Sequence, residues 1–491
     1  MKLSESSEGL ITPERRRSYI LSISDVEPDI YQSNVKIVFN IVKAAIPSII
    51  SNLAITLLDT ISLVFLGHLG DPLLLSAAGF GLTWVTAFGL GVTLGFSIGF
   101  NVYASQAYGA RNFYKLGLLY QKALVIQGII TLMYFLISLF TQPLLMMIGF
   151  ESELAEQVAI FSKWSLLTVA GNGLYNVTFF LLLAQNVFHI SAYANTACFL
   201  IHLPLAYILI TLLGWGVMGA ALAKGLALMV LCFILLYYCK YYQPNPQCWI
   251  PWTTQCLENL MSFAKELMVH GVGIYLEWIM FELLSFIVAM LKDVNILAGH
   301  ASALNFVYAN FQPTAGFTLA TSVLLGNAAG EGSVEKAKKI TKIGMSINAG
   351  LGGFVGIFGF VFRYQIAAFY TDNTQVAEIT ANILAIYLLG LYGDIFSNMC
   401  GYLLRALGHE HFVAKIYILC YYAFGLTLST ILSHGLGFSY QGVWIGEVLA
   451  FYAMAFACLK KLNNIDWNEG IRLIRQSMAP PDKHEVELEK I

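Results

Sequence analysis

Six charged side chains stand inside stretches that are otherwise strongly apolar: Asp59, Lys224, Glu277, Glu282, Asp394 and Glu447. At mid-bilayer a charge costs about 2.5–3.5 kcal/mol on insertion scales, so each of these needs a reason. Asp394 has the most informative surroundings. Tyr387, Gly390, Asp394, Asn398, Gly401 and Arg405 recur at spacings of three and four, and so share one small and polar helix face. Such a stripe in a hydrophobic helix faces a wet cavity or the polar groups of another helix. Glu277 sits beside Trp278, and Glu282 lies about 140° further round the same helix, so both cannot point into one site; Glu277 is assigned to the cavity. Asn305, Tyr308 and Gln312 share a face near Pro313, which should kink its helix. Asn52, Thr56, Asp59 and Ser62 form a similar stripe, and Asn172 and Asn176 stack one turn apart. Lys224 and Glu447 are read as structural.

Two enclosed carboxyls have a definite chemistry. An ionised carboxylate in a low-dielectric cavity is costly, and either a proton or a paired organic cation removes that cost. If access can alternate only when Glu277 and Asp394 are neutralised, every transit carries a proton or a cation. Proton-driven export of small organic cations follows. Trp278, Tyr308 and Tyr387 would hold a cation on their ring faces at roughly 0.5–2 kcal/mol each. With Asn305, Gln312 and Asn398 they make up the expected substrate cavity, and Asn52, Asp59, Asn172 and Asn176 make a second polar cavity. A sodium-coupled or organic-anion (citrate-like) exporter of the same fold, and a channel or lipid-handling protein, remain open on these residues.

Other motifs carry less. Gly91, Gly95 and Gly99 form a small helix-packing face, with no strand before them to make a nucleotide loop. No GxxxxGK[ST] occurs, so the chain carries no P-loop motor of its own. His409-Glu410-His411 lies in a loop without further ligands, and the eight cysteines are scattered without metal or disulfide spacing. No enzyme chemistry, metal or cofactor is expected. A net charge of −2 offers no footprint for nucleic acid.

These residues need a scaffold, and the composition supplies it. The 491 residues are 58% hydrophobic and only 11% charged, far from a soluble domain. Apolar stretches read as twelve helices at 37–66, 74–103, 117–143, 156–184, 187–213, 216–239, 264–291, 297–326, 340–370, 377–404, 411–434 and 438–461. This is an all-α polytopic membrane protein of two pseudo-symmetric six-helix lobes. The expected division is an N-terminal tail (1–35), an N-lobe (36–239), an inter-lobe loop (240–263), a C-lobe (264–461) and a C-terminal tail (462–491) with a short helix at Trp467–Arg475. Of the 27 Lys and Arg, all but Lys163, Lys224, Lys292 and Arg363 fall in the tails or the even-numbered loops, which places both termini in the cytoplasm. A multi-pass monomer of the plasma or vacuolar membrane, solvated by lipid, is expected.

The chain also repeats itself. Gln106-Ala107-Tyr108-Gly109 is matched by Asn327-Ala328-Ala329-Gly330 at an offset of 221, and Phe180–Ala184 by Tyr402–Ala406 at 222. Gly219 answers Gly442 at 223. Six helices per copy is an even number, so the copies share one orientation and pair about an axis normal to the membrane.

Several runs resemble the multidrug and toxic compound extrusion (MATE) family, eukaryotic type: Phe65-Leu66-Gly67-His68-Leu69-Gly70, Ser105-Gln106-Ala107-Tyr108-Gly109-Ala110, Leu276-Glu277-Trp278 with Phe281-Glu282, Gly326-Asn327-Ala328-Ala329-Gly330, Arg405-Ala406-Leu407-Gly408 and Asp466-Trp467. The resemblance covers roughly residues 37–475. It implies two six-helix lobes in a V, exchanging protons or sodium for organic cations and xenobiotics. The family's essential glutamate matches Glu277, and its acidic position on the tenth helix matches Asp394. Where animal members carry a further glutamate on the eighth helix, this chain has Asn305.

Overall fold

The structure, a computed structural model, describes residues 33–69, 72–242, 244–370 and 373–478. Each of the twelve apolar stretches is a helix. In the first half these are α1 (Asn34–Gly67), α2 (Pro72–Val85 and Gly91–Gly109, joined by the π-helical turn Thr86–Leu90), α3 (Phe113–Leu139), α4 (Ser152–Trp164 and Leu166–Ala184), α5 (His189–Ala206, continued as π-helix to Leu212) and α6 (Gly216–Tyr241). In the second half they are α7 (Leu260–Ala289), α8 (Val294–Glu331), α9 (Val334–Val361), α10 (Thr374–Ala406), α11 (Glu410–Gly435, largely π-helical beyond Tyr417) and α12 (Ser439–Asn463). A short α13 (Trp467–Met478) follows. Eleven of these are long and apolar enough to cross a bilayer. The exception among the twelve is α8, which at 38 residues has the length but carries Asn295, His300, Asn305, Asn310, Gln312 and Asn327.

Local chemistry sets where several helices begin. Asn112 accepts a hydrogen bond from the Lys115 backbone N–H and opens α3, Asp293 does the same for Asn295 and Ile296 at α8, and Asn373 for Gln375 and Val376 at α10. Each side chain satisfies donors that a helix N-terminus leaves unpaired.

The two halves share one packing plan. In the N-lobe α1 lies on α5, α2 on α4 and α4 on α6; in the C-lobe α7 lies on α11, α8 on α10 and α10 on α12. The repeated glycines explain part of this. A Cβ on Gly219 would stand 2.8 Å from the Leu209 carbonyl oxygen, and one on Gly442 would stand 2.6 Å from the Leu432 carbonyl carbon. Only glycine permits either approach.

Between the lobes α2 packs on α7 and α8, and α1 packs on α8. The contact at the end of α2 and α8 is reciprocal. The Asn327 carbonyl fills the space a Cβ on Gly109 would need, and the Gln106 carbonyl fills that space at Gly330. Gln106 Nε2 donates to the Ala406 carbonyl at 2.9 Å, while Asn327 Nδ2 donates to the Ala184 carbonyl at 3.3 Å. Ala406 and Ala184 end α10 and α4, whose last carbonyls lack helical partners. Each lobe thus caps a helix of the other. At the same end α13 buries Ile471, Ile474 and Met478 and crosses α2, α8 and α9; Asn112 Nδ2 donates to the Met478 carbonyl at 3.1 Å.

Candidate functional site

The C-lobe brings two carboxyls into one buried polar cluster. Glu277 enters from α7 and Asp394 from α10, and they are 5% and 6% exposed. Asn398, one turn beyond Asp394, donates Nδ2 to Glu277 Oε1 at 3.3 Å, and Tyr417 of α11 donates its hydroxyl to Oε2 at 3.1 Å. Tyr387 donates to Asp394 Oδ2 at 3.1 Å and receives Asn310 Nδ2 at 3.4 Å. Behind Tyr387 stands Trp444, which donates Nε1 to His300 Nδ1 at 3.2 Å. The whole Tyr387–Arg405 stripe of α10 is buried, which follows from its small and polar periodicity. Among the described residues neither acid has a basic group within 4.0 Å. Both carboxyls are held by hydroxyl and amide donors, which satisfy lone pairs without neutralising charge.

The N-lobe arranges its polar residues differently. Asp59 of α1 pairs with Lys224 of α6 at 2.6 Å, and the two side chains are 29% and 10% exposed. They border a cavity of about 20 Å³, with Ser62, Ser165 and Thr168 on its wall, which is room for a water. Asn172 Oδ1 accepts from Thr93 Oγ1 at 3.0 Å and from Asn176 Nδ2 at 2.7 Å. Asn52 is half-buried on the same helix as Asp59.

Three residues expected in the substrate cavity stand apart from the carboxyl cluster. Asn305 and Tyr308 are exposed and Gln312 is half-buried; Asn305 Nδ2 bonds the Ala301 carbonyl of its own helix, and Tyr308 packs edge-on against Phe281. The Trp278 side chain lies outside the described ones. Glu282 is exposed, whereas Glu277 is not. Tyr417 and Asn310 join the cluster although the sequence reading gave them no part in it, and Arg405, expected on the α10 polar face, adjoins it. Tyr417 and Tyr421, one turn apart in α11, were a detectable polar pair in an apolar stretch.

The MatE family model matches residues 47–208 and again 270–431, one copy in each lobe. The chain belongs to the MatE family. Among its relatives, Protein DETOXIFICATION 49 of Arabidopsis thaliana is 25% identical, the match covering 92% of this chain and 90% of that one. Multidrug and toxin extrusion protein 1 of Oryctolagus cuniculus is 24% identical over 88% of this chain and 76% of the relative. The fold is that of the eukaryotic MATE transporter AtDTX14, with a TM-score of 0.85 at 20% identity over 91% of this chain and 99% of that structure. An outward-facing multidrug resistance MATE family transporter superposes with a TM-score of 0.78 at 19% identity, over 91% of this chain and 99% of that one. MatE proteins are transporters, and this member is an integral, multi-pass membrane protein.

Proposed function

We propose that this MatE protein exports organic cations in exchange for protons by alternating access, with Glu277 and Asp394 as the shared carboxyls. The observation that carries the reading is the pair itself: two buried acids from separate helices, Glu277 held by Asn398 and Tyr417 and Asp394 held by Tyr387, with no ion-pair partner within 4.0 Å among the described residues. A proton or a cation relieves such a site, and only one of them at a time need be bound. The aromatic residues at the two carboxyls, Tyr387 and Tyr417, suit a cationic cargo.

Both chain termini lie on the cytoplasmic side by the distribution of Lys and Arg. The reciprocal contact of Gln106–Gly109 with Asn327–Gly330 then closes the cytoplasmic end. The reading is tested by uptake of a fluorescent organic cation into proteoliposomes, with proton and sodium gradients imposed separately. A proton gradient alone should drive uptake, and Glu277→Gln should abolish it. Uptake driven by sodium alone would replace the coupling ion; cation flux or lipid scrambling that needs no gradient would replace exchange altogether.

A further inference from the structure

We propose that Arg405 is the built-in counter-cation of Glu277, setting the pH at which the C-lobe exchanges its proton. The inference rests on the exchange reading above for its transport consequence, but on geometry for the pairing. Arg405 sits in the last turn of α10 and is 1% exposed, yet neither Nη1 nor Nη2 has a hydrogen-bond partner. The rings of Tyr402 and Tyr417 lie 5.4 and 5.3 Å from its Cζ. A glycine makes room for the head group: a Cβ on Gly273 would stand 2.8 Å from Nη2. Gly273 is one turn before Glu277 on α7. Tyr417 touches both charges, lying against the guanidinium and donating its hydroxyl to Glu277 Oε2 at 3.1 Å.

A guanidinium stays protonated in proteins, so a buried one demands an anion nearby. The titratable groups facing this pair are His270 on α7, Asp394 and Tyr402 on α10, Tyr417 and Tyr421 on α11, and Glu447 and Cys458 on α12. Of these groups and Arg405, only Arg405 carries a permanent positive charge. The N-lobe supplies an independent check. At the repeat offset of 222 Arg405 falls on Leu183, and at 222 or 223 Glu277 falls on Ile55 or Ala54. Both members of the pair are absent together from the other lobe, as a pair requires. With Glu277 and Asp394 both ionised, Arg405 leaves these three groups with a net charge of minus one, which a single monovalent cation or a single proton cancels.

The test uses the full chain, with Arg405→Gln, Arg405→Lys, Glu277→Gln and the double variant Glu277→Gln/Arg405→Gln. Thermal unfolding in detergent reads the pairing without any transport. Glu277→Gln strands the guanidinium and should lower Tm, and adding Arg405→Gln should recover part of the loss. In proteoliposomes, Arg405→Gln should move the midpoint of the pH–transport profile upward by about one pH unit or more, because the carboxyl keeps its proton longer without the cation. Arg405→Lys should leave that midpoint near the wild type. An Arg405→Gln substitution that lowers Tm equally with or without Glu277, or prevents folding in both backgrounds, would overturn the pairing. So would lower transport at every pH with an unmoved midpoint. A wild-type protein without proton-driven transport would sink the exchange reading while the Tm cycle still reported on the pair.

Discussion

The two lobes are built on one helix plan and treat charge in opposite ways. At the offset of 222, α4 from Gly171 to Ala184 lies over α10 from Gly393 to Ala406, so that Asn172 answers Asp394, Asn176 answers Asn398 and Leu183 answers Arg405. In the N-lobe the amide oxygen of Asn172 is satisfied by Thr93 and Asn176, and the acid Asp59 is closed by Lys224 at 2.6 Å. In the C-lobe the corresponding position is a carboxyl, and Asn398, one turn further along α10, donates to a second carboxyl, Glu277 of α7. An amide cannot change its charge, whereas a carboxyl can. At corresponding positions the shared helix plan therefore carries an amide in one lobe and a carboxyl in the other.

Erasing that difference should have the largest effect. Asp394→Asn turns the α10 stripe into a copy of the α4 stripe and should reduce proton-driven uptake to that of protein-free liposomes, with the helix still buried and folded. Placing the acid in the other lobe by adding Asn172→Asp should not restore it, because no counterpart of Glu277 stands opposite. Rescue by that second substitution would mean that either lobe can couple, and the comparison would fail.

The converse experiment removes charge from the N-lobe. Breaking a buried pair from one side costs about 3–5 kcal/mol in enclosed sites, and with Asp59 partly exposed a loss of roughly 1–3 kcal/mol is expected for Lys224→Met. Asp59→Asn added to it should recover most of the stability, read as Tm, and the double variant should still transport with a wild-type pH profile. A folded double variant that no longer transports would show that the N-lobe pair takes part in the cycle.

Much of this was legible in the residues. Hydrophobic length located all twelve helices, and the short amphipathic α13 begins at Trp467 as expected. The α10 face was readable because its polar residues are few and fall on one stripe. On α8 polar side chains occur all round the helix: Asn305 and Tyr308 are exposed, whereas Asn310, Thr314 and Thr318 are buried. Periodicity can show that a helix has two polar faces without showing which one the bundle covers. The Asp59–Lys224 pair and the Tyr417–Glu277 bond join helices far apart in sequence, and their meeting depends on rotations that no local pattern encodes. Spacing places Arg405 on the α10 polar face, but its neighbours Gly273 of α7 and Tyr417 of α11 come from helices that no local pattern brings to it.

The smallest expected effect tests where the lobes agree. If alternating access parts the cytoplasmic contact, Gln106 and Asn327 must each release a carbonyl of the opposite lobe. A neutral hydrogen bond contributes about 0.5–1.5 kcal/mol, so Gln106→Ala and Asn327→Ala should each move the balance of the two conformations roughly twofold to tenfold toward opening at that end. The two shifts should run the same way, with that of Asn327→Ala the larger, because Asn327 Nδ2 also donates to Asn186 Oδ1 at 3.1 Å across the lobes. Spin labels at Tyr241→Cys and Lys338→Cys, both exposed and one on each lobe, would read the distance distribution between the lobes. Eight native cysteines, all buried or half-buried, leave those two sites favoured for labelling. A large shift from one alanine and none from the other would show that the contact is a one-sided hinge, with the repeat preserved in sequence but not in energy.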